Sequence, residues 1–196
     1  MKEIEIKARV EDSERVKNIL SDTGSGEISF EKEDVYWRAP PGILPGLPPS
    51  GIRIRKETEH RNGETARRIL VTYKTGEIRD KVEINEEREF SVSDGEPMGE
   101  LLGLLGLKPA VRKRKRGWAW IWKEEAGNPA GEPPILAELL ELEGLGWFIE
   151  LEIRCGEGET AVDRCRTRLL SLLARTGIGE DRIETRPYTV MLSAPP

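Results

Sequence analysis

Met1-Lys2-Glu3-Ile4-Glu5-Ile6-Lys7-Ala8-Arg9 opens the chain and alternates charged with apolar side chains from Glu3 onward. In an extended strand, successive side chains point to opposite faces, so this pattern places every one of these charges on one face. The same alternation recurs in Ile52-Arg53-Ile54-Arg55 and in Phe148-Ile149-Glu150-Leu151-Glu152-Ile153-Arg154. Several strands are therefore expected to share one ionic face of mixed sign.

The totals favour a cytoplasmic protein with one domain over residues 1–196. A chain of 196 residues can bury a sizeable core. Apolar runs stay well short of the roughly 20 residues that span a bilayer, and the segment after Met1 does not resemble a secretory signal. A net charge of -5 gives no reason to expect a nucleic-acid partner. Cys155 and Cys165 are too few for a disulfide framework or a zinc finger, so we expect reduced, structural thiols.

The apolar periodicities predict about eight or nine strands and about three helices, mostly antiparallel because the links between strands are short. The predicted strands lie near 2–10, 33–37, 51–57, 65–74, 81–93, 111–122, 135–143 and 147–155. The predicted helices run from 11–13 to the glycines at 24–26, over 96–107 and over 159–176, with a last short helix near 186–192. A Pro-rich loop at 39–51 is a candidate lid, and a Gly/Pro loop is predicted at 125–134.

If these strands close into a barrel, the alternation puts one face inside. The interior would then hold Glu3, Glu5, Lys7, Arg53, Arg55, Lys74, Glu87, Glu89, Glu150 and Glu152. Such an interior is costly unless its charges are paired, solvated or matched to a ligand. A polyphosphate that carries a divalent cation matches both signs, because Arg and Lys bind phosphate and carboxylates bind Mg²⁺ or Mn²⁺. The alternative is an open sheet whose charged face meets solvent; repeated like-charge pairs at i, i+2 favour the barrel.

Glu3-Ile4-Glu5-Ile6-Lys7 resembles the ExExK signature of the CYTH domain, or triphosphate tunnel metalloenzyme, family. That family includes class IV adenylate cyclases, thiamine triphosphatases and inorganic triphosphatases. The order of the later segments makes the resemblance specific and extends it over nearly the whole chain. These segments are 34–37, 52–55, 71–74, the basic run before Trp118, 144–152 and 186–188.

The resemblance implies an α+β fold, mainly antiparallel β, in which eight strands close into a tunnel barrel with helices packed outside. It implies a triphosphate bound along the tunnel and Mg²⁺ or Mn²⁺ as cofactor. The implied catalytic residues are Glu3, Glu5 and Lys7. The implied substrate-binding residues are Lys7, Arg53, Arg55, Lys74, Lys113 and Lys115. The implied metal ligands are Glu3, Glu5, Glu87, Glu89, Glu150 and Glu152.

The chain departs from the family pattern at three places. Asn85 stands where relatives often have an Arg, and Arg88 has the opposite parity. The basic run 112–116 has cations on both faces, so parity does not say whether Lys113 and Lys115 or Arg114 and Arg116 face inward. An acid expected before the Gly-Leu-Gly turn falls at Leu140, with Glu138 and Glu141 beside it.

Two other features have competing interpretations. The basic run and the nearby Trp118, Trp120 and Trp122 could form a nucleic-acid surface with stacking aromatics. The tryptophans share one face, and outer packing is the favoured interpretation for them. His60, the sole histidine, lies in a predicted exposed turn, so histidine catalysis is not expected.

The sequence therefore predicts a metal-dependent enzyme acting on ATP, thiamine triphosphate or tripolyphosphate. Two reactions fit the predicted tunnel. In a cyclase a ribose hydroxyl attacks the α-phosphorus; in a hydrolase water attacks the terminal phosphorus. A non-catalytic tunnel that binds nucleotide or polyphosphate is the alternative from another class. No membrane partner is expected, and the resemblance to a family whose members are often dimers makes a homodimer an open expectation.

Overall fold

The computed structural model describes residues 2–42, 44, 46–48, 50–122, 132–156 and 158–193. Its eight strands are β1 (Lys2–Arg9), β2 (Ser25–Arg38), β3 (Ile52–Arg61), β4 (Glu64–Arg79), β5 (Val82–Val92), β6 (Lys108–Trp122), β7 (Ile135–Leu142) and β8 (Gly146–Cys155). Its four α-helices are α1 (Ser13–Thr23), α2 (Glu96–Leu104), α3 (Glu159–Arg175) and α4 (Tyr188–Ser193), and a 3-10 turn covers Glu180–Arg182.

The strands close into one antiparallel barrel in the order β1-β5-β4-β3-β2-β6-β7-β8, with β8 paired to β1. Neighbours in the chain form hairpins wherever the link is short. The β3–β4 turn, for example, consists of Asn62 and Gly63, whose φ values of 52° and 83° suit a two-residue hairpin. The predicted closed eight-stranded barrel is confirmed.

The apolar faces of β1, β6, β7 and β8 point outward, where α1 and α3 cover them. Ile4 and Ile6 pack there with Val16 of α1 and Leu169 of α3. Trp120 and Trp122 join this cluster at 1% and 3% exposure, and Trp118 packs against it. Outer packing of the tryptophan stripe is therefore confirmed, with Trp118 partly exposed at its end.

Helix α2 covers the outer face of β3 and β4. Leu102 packs there with Ile54 and Val71, and the close approach depends on Gly99, which faces the Trp37 ring. Asp94 begins this segment by accepting a hydrogen bond from the Glu96 backbone N–H. The helix thus follows from a short apolar segment that can be buried only against the sheet.

The segment before α4 crosses from the outside of the barrel to its interior. Ile183 bridges Ala8, and the Glu184 N–H donates to the Lys7 carbonyl. Helix α4 then packs Tyr188 and Met191 against an apolar cluster inside the barrel, formed with Phe30, Leu140 and Phe148. This cluster makes one part of the interior apolar and leaves the rest ionic.

Several predicted boundaries were wrong. Strand β2 runs from Ser25 rather than from residue 33, because it pairs with both β3 and β6. Strand β4 continues past Lys74 to Arg79 because β5 pairs with that extension. Described residues of the Pro-rich loop 39–51 form no helix or strand, whereas 125–131 of the predicted Gly/Pro loop lie outside the described residues. None of the helices described is long and apolar enough to cross a membrane.

Candidate functional site

The barrel encloses a cavity of about 770 Å³. All ten residues that the alternation places inside line it, and so do Lys113 and Lys115. The structure therefore brings every sequence-predicted site residue to one space. Their roles in binding and catalysis remain predictions, which the ion pairs within the cavity help to sort.

The acidic group of the cavity consists of Glu3, Glu5 and Glu152. Glu5 lies opposite Glu152 on β8 and opposite Glu83 on β5. Burial, together with the charges of Glu3 and Glu5, raises the pKa of Glu152 to about 9, and a side-chain hydrogen bond joins it to Glu3. Burial also raises the pKa of Glu5 to about 7. Glu152 therefore holds a proton at neutral pH, which limits the repulsion between carboxylates directly opposite each other.

Two lysines lie beside the acidic group. Lys74 Nζ is 3.8 Å from Glu5 Oε2. Although burial disfavours its charge, Glu5 and Glu83 raise the pKa of Lys74 above its ordinary value. Lys7 forms an ion pair with Glu83, and its Nζ lies 5.5 Å from the centre of the Tyr188 ring. Both lysines line the cavity, and each is paired with a carboxylate on β1 or β5.

Asp34 holds two of the predicted phosphate-binding cations. Its carboxylate accepts from Arg55 Nε at 2.7 Å and Nη2 at 3.0 Å, and Lys113 Nζ lies 3.0 Å from Oδ2. The Asp34 side chain is 0% exposed. Burial opposes its ionisation, but Lys113 and Arg55 hold the pKa of Asp34 well below its usual range. Asp34 thus holds two cations side by side, and Glu57 lies 4.0 Å from Arg55 on the other side of the guanidinium.

A second buried network surrounds Glu138. Its carboxylate accepts from Lys32 Nζ at 2.5 Å and from Lys115 Nζ at 2.9 Å. Lys115 also donates to Glu150 at 2.6 Å. Despite its burial, Glu138 has a pKa far below its ordinary range because Lys115 and Lys32 stabilise the carboxylate. Glu150, a predicted metal ligand, is thus held by a lysine rather than within the acidic group.

Arg53 contacts the other two predicted metal ligands. Its Nη2 donates to Glu87 at 3.2 Å, to Glu89 at 3.3 Å and to Thr72 Oγ1 at 2.9 Å. Arg53 Nε is buried and has no hydrogen-bond partner within the described part of the chain. The charge of Glu87 also raises the pKa of Glu3, after the larger effect of burial. Arg53 therefore joins β3 to the acidic strand β5, and its Nε–H remains available as a hydrogen-bond donor.

The structure decides the parity of the basic run. Lys113 and Lys115 are buried in the cavity, whereas Arg112, Arg114 and Arg116 are exposed outside the barrel. Arg114 and Arg116 form ion pairs there with Glu33 and Glu141 respectively. Trp120 and Trp122 are buried under the helices, whereas Trp118 is partly exposed and lines a surface pocket with Arg116 and Trp147. His60 is exposed, as predicted, but it lies in β3 rather than in the turn, and it does not line the cavity.

Sequence reasoning missed several cavity residues. Asp34 has no role in the sequence prediction, although its even parity on β2 matches Lys32 and Tyr36, which line the cavity; Asp34 itself is fully buried and acts through the cavity residue Lys113. Glu138 was named as a neighbour of the expected acid position. The structure puts Glu138 in the cavity, Leu140 in the apolar cluster and Glu141 outside. Alternation along β7 could have selected Glu138, since Leu136 and Leu140 share its face.

We tested whether the cavity residues suit a divalent cation. No group of three or more His, Cys, Asp or Glu side chains in the described ranges is arranged closely enough to hold a metal ion. The donor chemistry of the acidic group nevertheless fits Mg²⁺ or Mn²⁺, because both prefer carboxylate oxygens. A cation between Glu5 and Glu152 would also remove the repulsion that raises the pKa of Glu152. The carboxylates of the acidic group therefore suit such a cation in their chemistry, although they do not converge on one point in this structure.

The sequence profile of the CYTH domain matches residues 1–188. No functionally curated protein matches the chain. Protein PH1819 of Pyrococcus horikoshii is 24% identical, with a TM-score of 0.73 and 97% of each chain covered. A candidate adenylate cyclase of Vibrio parahaemolyticus is 22% identical, with a TM-score of 0.68 and 98% of each chain covered.

A candidate adenylyl cyclase of Hippeastrum, HpAC1, is described with a dominant triphosphatase activity. It is 18% identical to this chain, with a TM-score of 0.57, and the match covers 90% of this chain and 88% of that one. At these identities the structural matches show a shared fold. The profile match spans nearly the whole chain and includes every cavity residue named above. This chain belongs to the CYTH domain family.

Proposed function

We propose that this protein is a divalent-metal-dependent enzyme that acts on a triphosphate-bearing substrate. The observation that carries the proposal is the separation of charge inside one cavity. The acidic group lies on β1 and β8. Asp34 of β2 holds Arg55 of β3 and Lys113 of β6. These two cations, together with Arg53, form what we call the cation side of the cavity. A phosphate chain with a bound cation is complementary in charge to both sides, whereas an anion alone or a cation alone is complementary to only one.

The cation side suits phosphate oxygens. Arg55 and Lys113 share one carboxylate and keep donors beyond those used on Asp34, and Arg53 Nε is an unused buried donor. Guanidinium groups bind phosphate through paired N–H donors, and lysines add compact charge. These side chains would hold and orient the phosphate chain without needing to move far.

The acidic group would hold the metal through Glu3, Glu5 and Glu152. A divalent cation bound there supplies charge neutralisation and Lewis-acid polarisation of phosphate oxygens. Glu152 must lose its proton to become a ligand, so metal binding would release protons at neutral pH. Lys7 and Lys74 lie beside this group, where they would neutralise charge on the reacting phosphate.

Two reactions remain compatible with this arrangement. In hydrolysis, water attacks the terminal phosphorus, the bond from that phosphorus to the bridging oxygen breaks, and orthophosphate leaves. In cyclisation, the ribose 3′-hydroxyl attacks the α-phosphorus and pyrophosphate leaves. Either nucleophile must lose a proton, which a side chain of the cavity would accept.

The deciding experiment is product analysis. The full chain would be incubated with tripolyphosphate, ATP or thiamine triphosphate, each with Mg²⁺ or Mn²⁺, and orthophosphate, pyrophosphate and cyclic AMP would be separated. We expect product formation that depends on the added metal. The names given to the Vibrio and Hippeastrum proteins support testing both reactions on this chain.

The control is the variant Glu3→Gln/Glu5→Gln, which keeps the shape of the acidic group and removes its charge. If the wild-type protein forms no product above this variant, the enzyme proposal fails. Tight binding of tripolyphosphate without turnover would instead support the alternative of a non-catalytic triphosphate-binding tunnel.

A further inference from the structure

Asn85 is a buried cavity residue with an unused hydrogen-bond donor. It is 5% exposed and lines the cavity from β5. Its Nδ2 has no hydrogen-bond partner in the ranges that the structure describes. A buried amide N–H without a partner costs folding free energy, so native proteins rarely keep one unless it serves another purpose.

A second feature reserves space for this amide. Gly76, on β4, lies directly opposite Asn85. A Cβ atom at Gly76 would lie 2.2 Å from Asn85 Oδ1 and 2.5 Å from the Ile84 carbonyl oxygen. Glycine within a strand is ordinarily unfavourable, and it often marks a place where another group approaches closely. Strand β4 therefore has no side chain at the position where the Asn85 carboxamide lies.

The neighbours of Asn85 on the cavity wall are carboxylates. Its other strand partner is Glu3 of the acidic group, and Glu83 and Glu87 flank it on the same face of β5. Glu83 is occupied by Lys7, and Glu87 accepts from Arg53. The amide thus lies among acceptors and bonds none of them, which leaves its N–H groups for a molecule that enters the cavity.

We propose that Asn85 is a ligand-binding residue whose Nδ2 donates a hydrogen bond to an oxygen of the bound triphosphate group. The inference rests on the proposed function and deepens it. A carboxamide carries no charge, so this contact selects the position of an oxygen atom and does not add a cation beside Glu3. Asn85 is therefore a specificity-determining contact on the acidic side of the cavity.

The test measures binding and folding in parallel. Binding of tripolyphosphate to the full chain, at a fixed Mg²⁺ concentration, would be followed by calorimetry for the wild type, Asn85→Ala and Asn85→Asp. Arg88→Ala is the matched control, because Arg88 lies on the same strand but is exposed on the outer face. Thermal unfolding without ligand would be recorded for each protein.

We expect Asn85→Ala to bind roughly tenfold more weakly or worse, the loss expected for a hydrogen bond to a charged group. Asn85→Asp should bind no more tightly than Asn85→Ala, because a carboxylate lacks the donor and repels phosphate. Without ligand, Asn85→Ala should unfold at the same temperature or higher, since it removes an unpaired buried group. A merely structural role predicts the opposite change in unfolding temperature.

Each other outcome is decisive. If Asn85→Ala or Asn85→Asp binds tripolyphosphate as tightly as the wild type, this inference is overturned and the proposed function stands. A binding loss that accompanies a lower unfolding temperature would also overturn it, in favour of a structural role. Absence of tripolyphosphate binding by the wild type would overturn the proposed function and, with it, this inference.

Discussion

Glu5 lies directly opposite Glu152 across the β1–β8 pair, with both carboxyl groups in the cavity. Facing acids on adjacent strands destabilise a sheet when both are charged. The fold accommodates them by keeping Glu152 protonated, with a pKa of about 9. Such an arrangement lowers stability in the absence of a cation, and shifted pKa values of this kind cluster at functional sites.

This relationship predicts how stability depends on pH. An unfolded Glu titrates near its ordinary pKa of 4.5, whereas folded Glu152 titrates near 9. Between these values the native state holds more protons than the unfolded state, so stability falls as pH rises through this window. We expect Glu152→Gln to raise the free energy of unfolding at pH 8 by about 1–3 kcal/mol.

Denaturant unfolding at pH 5 and pH 8 checks this prediction. The gain from Glu152→Gln should be larger at pH 8 than at pH 5, because the wild type loses stability over that interval. Arg154→Gln, on the same face of β8, tests whether any charge removal there has the same effect. A gain that does not change with pH would contradict the assigned cause.

Binding of a divalent metal should offset the loss of stability that the carboxyl group of Glu152 causes. Mg²⁺ or Mn²⁺ should raise the unfolding temperature of the wild type, because a ligand that binds the native state stabilises it. Glu152→Gln should lose most of this increase, since the variant removes one carboxylate. Equal metal-induced shifts in the two proteins would place the metal elsewhere.

Asp34 should be necessary for the fold of the cation side. Asp34→Asn leaves Arg55 and Lys113 buried without their counterion, which costs about 3–5 kcal/mol. For a chain of this size that loss corresponds to a fall of about 6–20 °C in unfolding temperature. Because the pKa of Asp34 is lowered, its contribution is present above its unfolded pKa of 3.8 and is lost as pH falls towards the folded value.

The neighbouring Glu33 supplies the control for Asp34. Glu33 pairs with Arg114 at 3.5 Å on the outer surface, where both side chains are more than half exposed. Exposed pairs of this kind contribute about 0–1 kcal/mol. Glu33→Gln should therefore change the unfolding temperature by a few degrees at most. Similar losses in Asp34→Asn and Glu33→Gln would argue against the buried network.

Arg53 and Arg55 should recognise the phosphate chain. We expect Arg53→Ala, and more strongly Arg53→Ala/Arg55→Ala, to weaken tripolyphosphate binding about tenfold or more, because each arginine supplies charge-assisted hydrogen bonds. Orthophosphate binding should weaken much less. Titration of both anions measures the difference, and Lys56→Ala, exposed on the outer face of β3, is the control. Equal losses for the two anions would argue against a site for a phosphate chain.

The basic run offers a comparison between two adjacent residues. Lys113→Gln should reduce tripolyphosphate affinity about tenfold, because Lys113 is a buried cation of the cavity. Arg114→Gln should leave affinity within about twofold, because Arg114 lies outside and solvent and salt screen its charge. Calorimetry at constant ionic strength compares them, and a larger effect from Arg114 would contradict the inward parity of the lysines.

Much of the fold could be predicted from local patterns. Alternation at residues 2–9, 52–55 and 148–154 identified three strands and the side chains on their ionic face, because period two is a property of the extended backbone itself. Helical spacing before Gly24 and Gly177 identified α1 and α3 for the same kind of reason. The ends of β2 and β4 could not be predicted, because pairing with distant strands extends them.

Alternation along each strand placed Glu3, Glu5 and Lys7 on one face of β1, and Arg53 and Arg55 on one face of β3, from the local sequence alone. Barrel closure turned both faces inward and fixed which charges meet. Asp34 lies opposite Arg55 because of the β2–β3 register, and Glu5 lies opposite Glu152 because β8 closes the barrel on β1. Whether Lys113 or Arg114 enters the cavity depends likewise on pairing with β2 and β7. Ion pairs and shifted pKa values arise from distances between residues far apart in the chain, and the closure of the barrel sets those distances.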